Sequence, residues 1–179
     1  MTGAARLSVP RSDRVLYSSR MQLFVVRHAV AEDAVPGQDD ASRELTSDGE
    51  RKMKKVVKGM RRLNIELDRI LTSPWRRAAQ TAILLQPLCD DPPLSSDLLA
   101  QSPKSELLAL IAELNETTAV VGHEPWLGEL VAWLAFGDTR HGEALQLKKG
   151  GVVWLEGSCV PGGMVVRAIL PPSVIRSVR

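Results

Sequence analysis

Two histidines and two arginines occupy places where this sequence can use them chemically. Arg27-His28 follows the apolar run Leu23-Phe24-Val25-Val26, Arg77 lies in Ser73-Pro74-Trp75-Arg76-Arg77, and His123 follows Thr118-Ala119-Val120-Val121-Gly122. Guanidinium groups fork onto the oxygens of a dianion through charge-assisted hydrogen bonds, and helix N-termini add partial positive charge. A phosphoryl group fits such a cluster. An imidazole among cations is disfavoured as imidazolium, so one ring nitrogen keeps a lone pair for attack on phosphorus. His28 is the candidate nucleophile, with Arg27, Arg77 and His123 placed to stabilise charge on the equatorial oxygens during transfer. Each residue alone has an ordinary alternative, a hydrogen-bonded structural histidine or a surface arginine. Their coincidence at one sheet edge argues for a site. A metal centre built on His28 and His123 with Glu32, Asp33 or Glu124 is the weaker reading, because no H-E-x-x-H spacing occurs. His141 has no such neighbours in its loop and is expected to be exposed.

The elements that must hold these residues follow from pattern. Residues 23–26 form an unbroken apolar run, as in a parallel strand buried on both faces. Ser47 and Glu50 have capping-box spacing, with Thr46 as a competing N-cap, before an amphipathic helix carrying Met53, Val56, Val57, Met60 and Leu63. Its other face, Arg51, Lys52, Lys54, Lys55, Lys58, Arg61 and Arg62, could attract an acidic partner, although a solvated face is the plainer reading. Arg69–Thr72 reads as a second strand, and Ser73-Pro74 as the N-cap and first position of a helix running to Gln86-Pro87. Arg77 then falls in a first helical turn. Ser102-Pro103 predicts the start of another helix, with Leu107, Leu108, Ile111 and Leu114 as its apolar stripe and Asn115 as its stop. Residues 118–121 read as a third buried strand, turned by Gly122-His123-Glu124-Pro125 into the apolar helix Trp126–Phe136. Residues 152–156 and 164–170 read as a hairpin or a pair of edge strands ended by Pro171-Pro172. Ligands of open α/β sheets bind beyond the carboxyl ends of the strands, where all four residues land.

With 179 residues, 44% hydrophobic and 25% charged, the chain can bury a real core in one domain. That domain is assigned to residues 21–172, with 1–20 read as a disordered N-terminal extension and 173–179 as a C-terminal tail. A net charge of +2 is too mild to argue for nucleic acid without a clustered basic and aromatic surface. The longest apolar runs fall short of the ~20 residues a membrane-spanning helix needs, so no membrane anchor is expected. Cys89 and Cys159 are far apart and form no C-x-x-C pair, and they are read as reduced thiols of a cytoplasmic protein. Oligomeric state is left open.

Arg27-His28-Ala29 resembles the Arg-His-Gly signature of the histidine phosphatase superfamily, and residues 73–81 resemble its Ser-Pro-x-x-Arg-Ala-x-Gln-Thr element. Gly122-His123-Glu124-Pro125 matches the place of the second histidine. The short length and the segments Arg43-Glu44-Leu45-Thr46-Ser47-Asp48-Gly49 and Leu147-Lys148-Lys149-Gly150-Gly151 look most like the bacterial phosphohistidine phosphatases of the SixA type. The resemblance spans about residues 21–172. It implies a phosphoglycerate mutase-like, three-layer α/β/α domain around a mostly parallel sheet, and a covalent phosphohistidine on His28. By the same resemblance Arg27, Arg77 and His123 bind the phosphoryl group, Arg43 is a further substrate contact, and neither metal nor organic cofactor is needed. The implied substrate is a phosphorylated protein such as a histidine phosphotransfer domain, or else a small phosphorylated molecule. The rivals are a phosphatase of a small phosphate ester and a non-catalytic phosphate-recognition module.

Two departures bear on this expectation. Ala29 replaces the usual glycine, adding a methyl where the backbone turns against the pocket. The glutamate acid that mutases and ester phosphatases of the superfamily carry has no counterpart, since residues 95–101 offer only Asp97. An ester reading would need Glu32, Asp33 or Asp97 as proton donor. A phosphoramidate protonated on nitrogen departs as neutral imidazole, so the missing acid favours phosphohistidine.

Overall fold

The computed structural model describes residues 21–179, and the extension read at 1–20 lies outside the described residues. Strand β1 (Met21–Arg27) is apolar throughout its centre because both of its faces are covered. Phe24 and Val26 point into one buried cluster, and Leu23 and Val25 into another. Strands β2 (Arg69–Thr72), β3 (Leu94–Ser95), β4 (Thr118–Gly122), β5 (Val152–Gly157) and β6 (Met164–Leu170) complete one sheet of order β3-β2-β4-β1-β5-β6. The first four strands of that order are parallel, whereas β5 runs antiparallel to both β1 and β6. Strand β5 is therefore internal, and β6 alone is the edge on that side.

Helices α1 (Ser47–Arg62), α2 (Arg76–Leu85) and α5 (Pro172–Ser177) cover one face with Met53, Val56, Met60, Ala78, Ala82, Leu85 and Ile175. Helices α3 (Ser105–Leu114) and α4 (Trp126–Phe136) cover the other with Leu107, Leu108, Ile111, Leu127, Leu130, Val131 and Leu134. The result is the expected three-layer α/β/α arrangement. Each large apolar side chain so buried contributes about 1.5–3 kcal/mol, so the two clusters fix the register of the sheet on both sides.

Local signals mostly act as predicted, with corrections at three places. Of the two candidate caps of α1 it is Thr46 that serves, its hydroxyl accepting from the Gly49 amide at 2.9 Å. A side chain at Gly49 would collide with the Val30 carbonyl, so glycine lets the loop leaving His28 lie directly on this helix. Helix α2 begins at Arg76, two residues beyond the predicted Ser73-Pro74 start, and has no side-chain cap. The Ser73 hydroxyl accepts from the Trp75 amide at 3.3 Å and bonds His123 Nε2 at 2.9 Å, closing a tight turn instead of capping a helix. Arg77 stays in the first turn. Helix α3 likewise starts at Ser105, because the Ser102 hydroxyl is engaged by the Glu129 carboxylate.

The third correction concerns the C-terminus. Residues read as a tail contain α5, which starts at Pro172, a position where proline's missing N–H costs nothing. Ile175 is fully buried against α1, and its carbonyl fills the space that a side chain at Gly59 would need. On the basic face of α1, Arg51 and Lys52 pair with Asp48, and Lys54 lies 3.9 Å from Glu50. Lys55, Lys58 and Arg61 line a shallow groove floored by Val57, Leu84 and Pro87. Cys89 and Cys159 are buried free thiols. Among the described residues, no helix is long and apolar enough to cross a membrane.

Candidate active site

Adjacent strand ends build the site. Strands β2, β4 and β1 lie side by side with Thr72 opposite Val121 and Arg27 opposite Gly122. The parallel ladder continues one step beyond the strands, through His28 N–H to the Gly122 carbonyl at 3.1 Å and Ser73 N–H to the Val121 carbonyl at 2.9 Å. This register places the two histidine rings 5.1 Å apart, centroid to centroid. The peptide joining Glu124 to Pro125 is cis, and the chain then enters α4 at Trp126.

Around these strand ends lies an open cavity of about 430 Å³, lined by Arg27, His28, Asp40, Arg43, Trp75, Arg77, His123, Glu124, Trp126 and Lys149. Four cations face two carboxylates, so the cavity is electropositive. All five residues singled out in the sequence are brought together: Arg27, His28, Arg43, Arg77 and His123. The neighbouring Arg76 is excluded, being exposed and paired with Glu44 at 2.5 Å. Glu32, Asp33 and Asp97 are exposed and do not line the cavity, and His141 is likewise exposed. Ala29 is buried within the apolar cluster below α1 and α2, its amide donating to Thr81 Oγ1 at 3.0 Å. Its methyl therefore points into the core and is absent from the cavity wall, contrary to the expectation that it meets the pocket.

His28 is held in one tautomer. Its Nδ1–H donates to the Ala29 carbonyl at 2.7 Å, and Nε2 accepts from Arg77 Nε at 3.3 Å. The Nε2 lone pair thus faces the guanidinium in the cavity. Burial, with the positive potential of Arg77, Arg27 and Lys149, lowers the His28 pKa to about 4 despite the opposing bond to Ala29. Burial and then His28 and Arg77 lower that of His123 to about 3. Burial also lowers the pKa of Arg27 and Arg77, but guanidinium keeps its charge throughout the working range. Arg27 is anchored through its terminal nitrogen to the Leu147 carbonyl at 2.6 Å, while its Nε and the Nδ1 of His123 are buried with no partner. Buried polar atoms are normally satisfied, and an oxyanion in the cavity is suited to meet them.

Both imidazoles ionise below the ordinary histidine value of about 6.5, so on acidification the unfolded chain takes up protons first. Their contribution to stability is complete above about pH 6.5 and is lost as pH falls toward about 4 for His28 and about 3 for His123. A nuclear magnetic resonance titration is expected to find neither ring protonating between about pH 8 and about pH 5. A midpoint near 6.5 for His28 would contradict the burial argument.

Four cavity residues escaped sequence reasoning. Asp40 lies in a polar loop with no periodicity, but its spacing from Arg43 and the Asp39 cap, a carboxylate accepting from the Ala41 amide at 3.1 Å, form a readable turn signal. Trp75 and Trp126 each follow a proline just past a strand end, and their rings meet edge to face at 5.7 Å. Lys149 comes from the turn before β5, whose Gly150 amide donates to the carbonyls of Arg27 and His28 at 3.1 Å.

A family model for the histidine phosphatase superfamily (branch 1) matches residues 23–100. An uncharacterized protein of Picosynechococcus is 37% identical over 142 residues, covering 75% of this chain and 84% of that protein. The phosphohistidine phosphatase SixA of Escherichia coli is 32% identical over 127 residues, 66% of this chain and 77% of SixA. The chain belongs to the histidine phosphatase superfamily. Among solved structures, the protein histidine phosphatase SixA complexed with tungstate matches with a TM-score of 0.70 at 23% identity, across 86% of this chain and 98% of that one. The sheet and its helices are thus those of the phosphoglycerate mutase-like α/β fold. As a member of the superfamily the chain is a phosphatase.

Proposed function

We propose that this phosphatase removes phosphoryl groups from protein phosphohistidine, through a covalent phosphohistidine on His28. The observation that carries the substrate assignment is that both carboxylates lining the cavity serve as hydrogen-bond acceptors and neither is placed as a proton donor. Asp40 is paired with Arg77 at 2.8 Å and with Arg43 at 2.7 Å. Glu124 accepts from the amides of Leu147 at 2.6 Å and Gly128 at 3.1 Å. Both accept hydrogen bonds and donate none, so neither presents a proton to an alkoxide, whereas a protonated phosphoramidate leaves as neutral imidazole without help. The similarity to SixA of Escherichia coli, named a phosphohistidine phosphatase, supports the same substrate class.

In the first step, His28 Nε2 attacks phosphorus, the P–N bond to the substrate imidazole breaks, and that imidazole, protonated beforehand on its other ring nitrogen, departs neutral with the bonding electron pair. His28 becomes a phosphoimidazolium whose Nδ1–H stays bonded to the Ala29 carbonyl, which stabilises the new positive charge. Arg27, Arg77, His123 and Arg43 hold the phosphoryl oxygens. In the second step, water attacks phosphorus, the bond to Nε2 breaks, and inorganic phosphate leaves with His28 neutral again. The cavity is open, which suits a side chain presented on a protein surface; its cation-rich wall suits a phosphorylated histidine phosphotransfer domain.

A substrate panel tests this. The purified enzyme is expected to dephosphorylate phosphohistidine proteins at rates far above those on sugar, serine and aryl phosphates. Preferred turnover of a small ester, with an acidic limb marking a general acid, would replace this reading with the ester phosphatase. Oxyanion binding without any turnover would replace it with a recognition module.

A further inference from the structure

All three guanidinium nitrogens of Arg77 already have partners within the chain. Nε donates to His28 Nε2 at 3.3 Å, one terminal nitrogen donates to the Asp40 carbonyl at 2.6 Å, and the other to Asp40 Oδ2 at 2.8 Å. The second carboxylate oxygen, Oδ1, accepts from Arg43 Nε at 2.7 Å. An anion therefore bridges two of the arginines assigned to the phosphoryl group, next to the lone pair of His28.

We propose that Asp40 is a tethered stand-in for the phosphoryl group: its carboxylate closes the Arg77–Arg43 clamp when the pocket is empty, yields to an incoming dianion, and so limits how tightly phosphate is held. The inference rests on reading this cavity as the phosphoryl site.

Three features fit a side chain built to yield. The Asp40 side chain is 48% exposed whereas that of Arg77 is 4% exposed, so the carboxylate can swing into water while the guanidinium cannot. Asp40 opens a short 3-10 turn, Asp40–Ser42, in a solvent-facing loop. The backbone carbonyl of the same residue separately holds Arg77, so the loop stays docked when the side chain leaves. Burial works against ionisation of Asp40, but hydrogen bonds from Arg77 and Arg43 prevail and hold its carboxyl below the usual range.

The physical consequence is exchange. A dianion with three accepting oxygens replaces the two charge-assisted bonds of the carboxylate and adds others, whereas a monoanion with two oxygens gains nothing over the resident group. Product phosphate competes with a carboxylate that never leaves the vicinity, at the high effective concentration of a tethered group. Binding is weakened and release is favoured.

The test is calorimetric titration of the full-length protein with inorganic phosphate and with tungstate. Asp40→Asn is expected to bind both tighter by about tenfold or more, the order of change expected when a like charge is removed from beside a bound dianion. Asp40→Ala should move the same way, and Asp48→Asn, the same charge change on the surface of α1, should leave affinity unchanged. KM should fall with the dissociation constants in Asp40→Asn. Wild-type binding with unchanged or weaker binding by both Asp40 variants would overturn the inference, leaving Asp40 only to position Arg77. Unchanged affinity with a collapsed kcat would overturn it in favour of proton transfer by Asp40. Failure of wild type and variants alike to bind either oxyanion would remove the phosphoryl-site reading, and this inference with it.

Discussion

Replacing His28 with alanine is expected to abolish turnover while leaving the fold intact. A covalent route has no first step without Nε2, and deletion of a nucleophile costs on the order of a million-fold in kcat in a well-studied hydrolase. The structural cost is small by comparison. The His28 ring makes two hydrogen bonds, to the Ala29 carbonyl and from Arg77 Nε, and each contributes about 0.5–1.5 kcal/mol net. The ring borders the open cavity, so water can reach the groups it leaves. A thermal melt close to wild type beside undetectable activity is the expected pair of results. Wild-type activity in a clean preparation of His28→Ala would overturn the assignment.

Arg77→Ala is the second large effect. Its guanidinium touches the Nε2 lone pair and faces the position of the transferring oxygens, so its removal should cost roughly 100- to 1,000-fold in kcat, about 2.7–4 kcal/mol of transition-state stabilisation. The neighbouring substitution Arg76→Ala provides the contrast. Arg76 points to solvent and pairs with Glu44 on the surface, an interaction of about 0–1 kcal/mol in stability, and its loss should leave kcat/KM unchanged. Arg77→Lys should recover little, because an ammonium cannot reach His28 and Asp40 at once as the planar fork does. Equal losses from Arg76→Ala and Arg77→Ala would show that general charge, and not the fork, binds the substrate.

Much of this arrangement was legible in the chain, for reasons that particular residues make clear. Strands such as residues 23–26 and 118–121 are covered on both faces, so their centres must be apolar, and an apolar run followed abruptly by Arg27-His28 or His123 marks a strand end. Hydrophobic spacing in α1 and α3 reports the faces on which Met53, Met60, Leu107 and Ile111 are buried. What stayed hidden depends on contacts distant in sequence. Ser73 reads as a helix cap until the fold brings His123 to its hydroxyl. Ala29 reads as a pocket residue until its methyl is seen packed beneath the helices. Asp40 carries no periodic signal, and its importance comes from Arg77, 37 residues along the chain. The C-terminal residues looked like a tail because six helical residues carry too little pattern to read, although Ile175 docks them firmly.

The central claim is a phosphoryl group bonded to His28 during turnover. The most direct measurement is a rapid mix with a phosphohistidine protein, quenched in alkali and followed by peptide mass mapping under basic conditions. The expected result is a transient, base-stable and acid-labile phosphoryl label on the peptide containing His28, absent from His28→Ala. Efficient turnover with no label at any time, or with the label on His123, would contradict it.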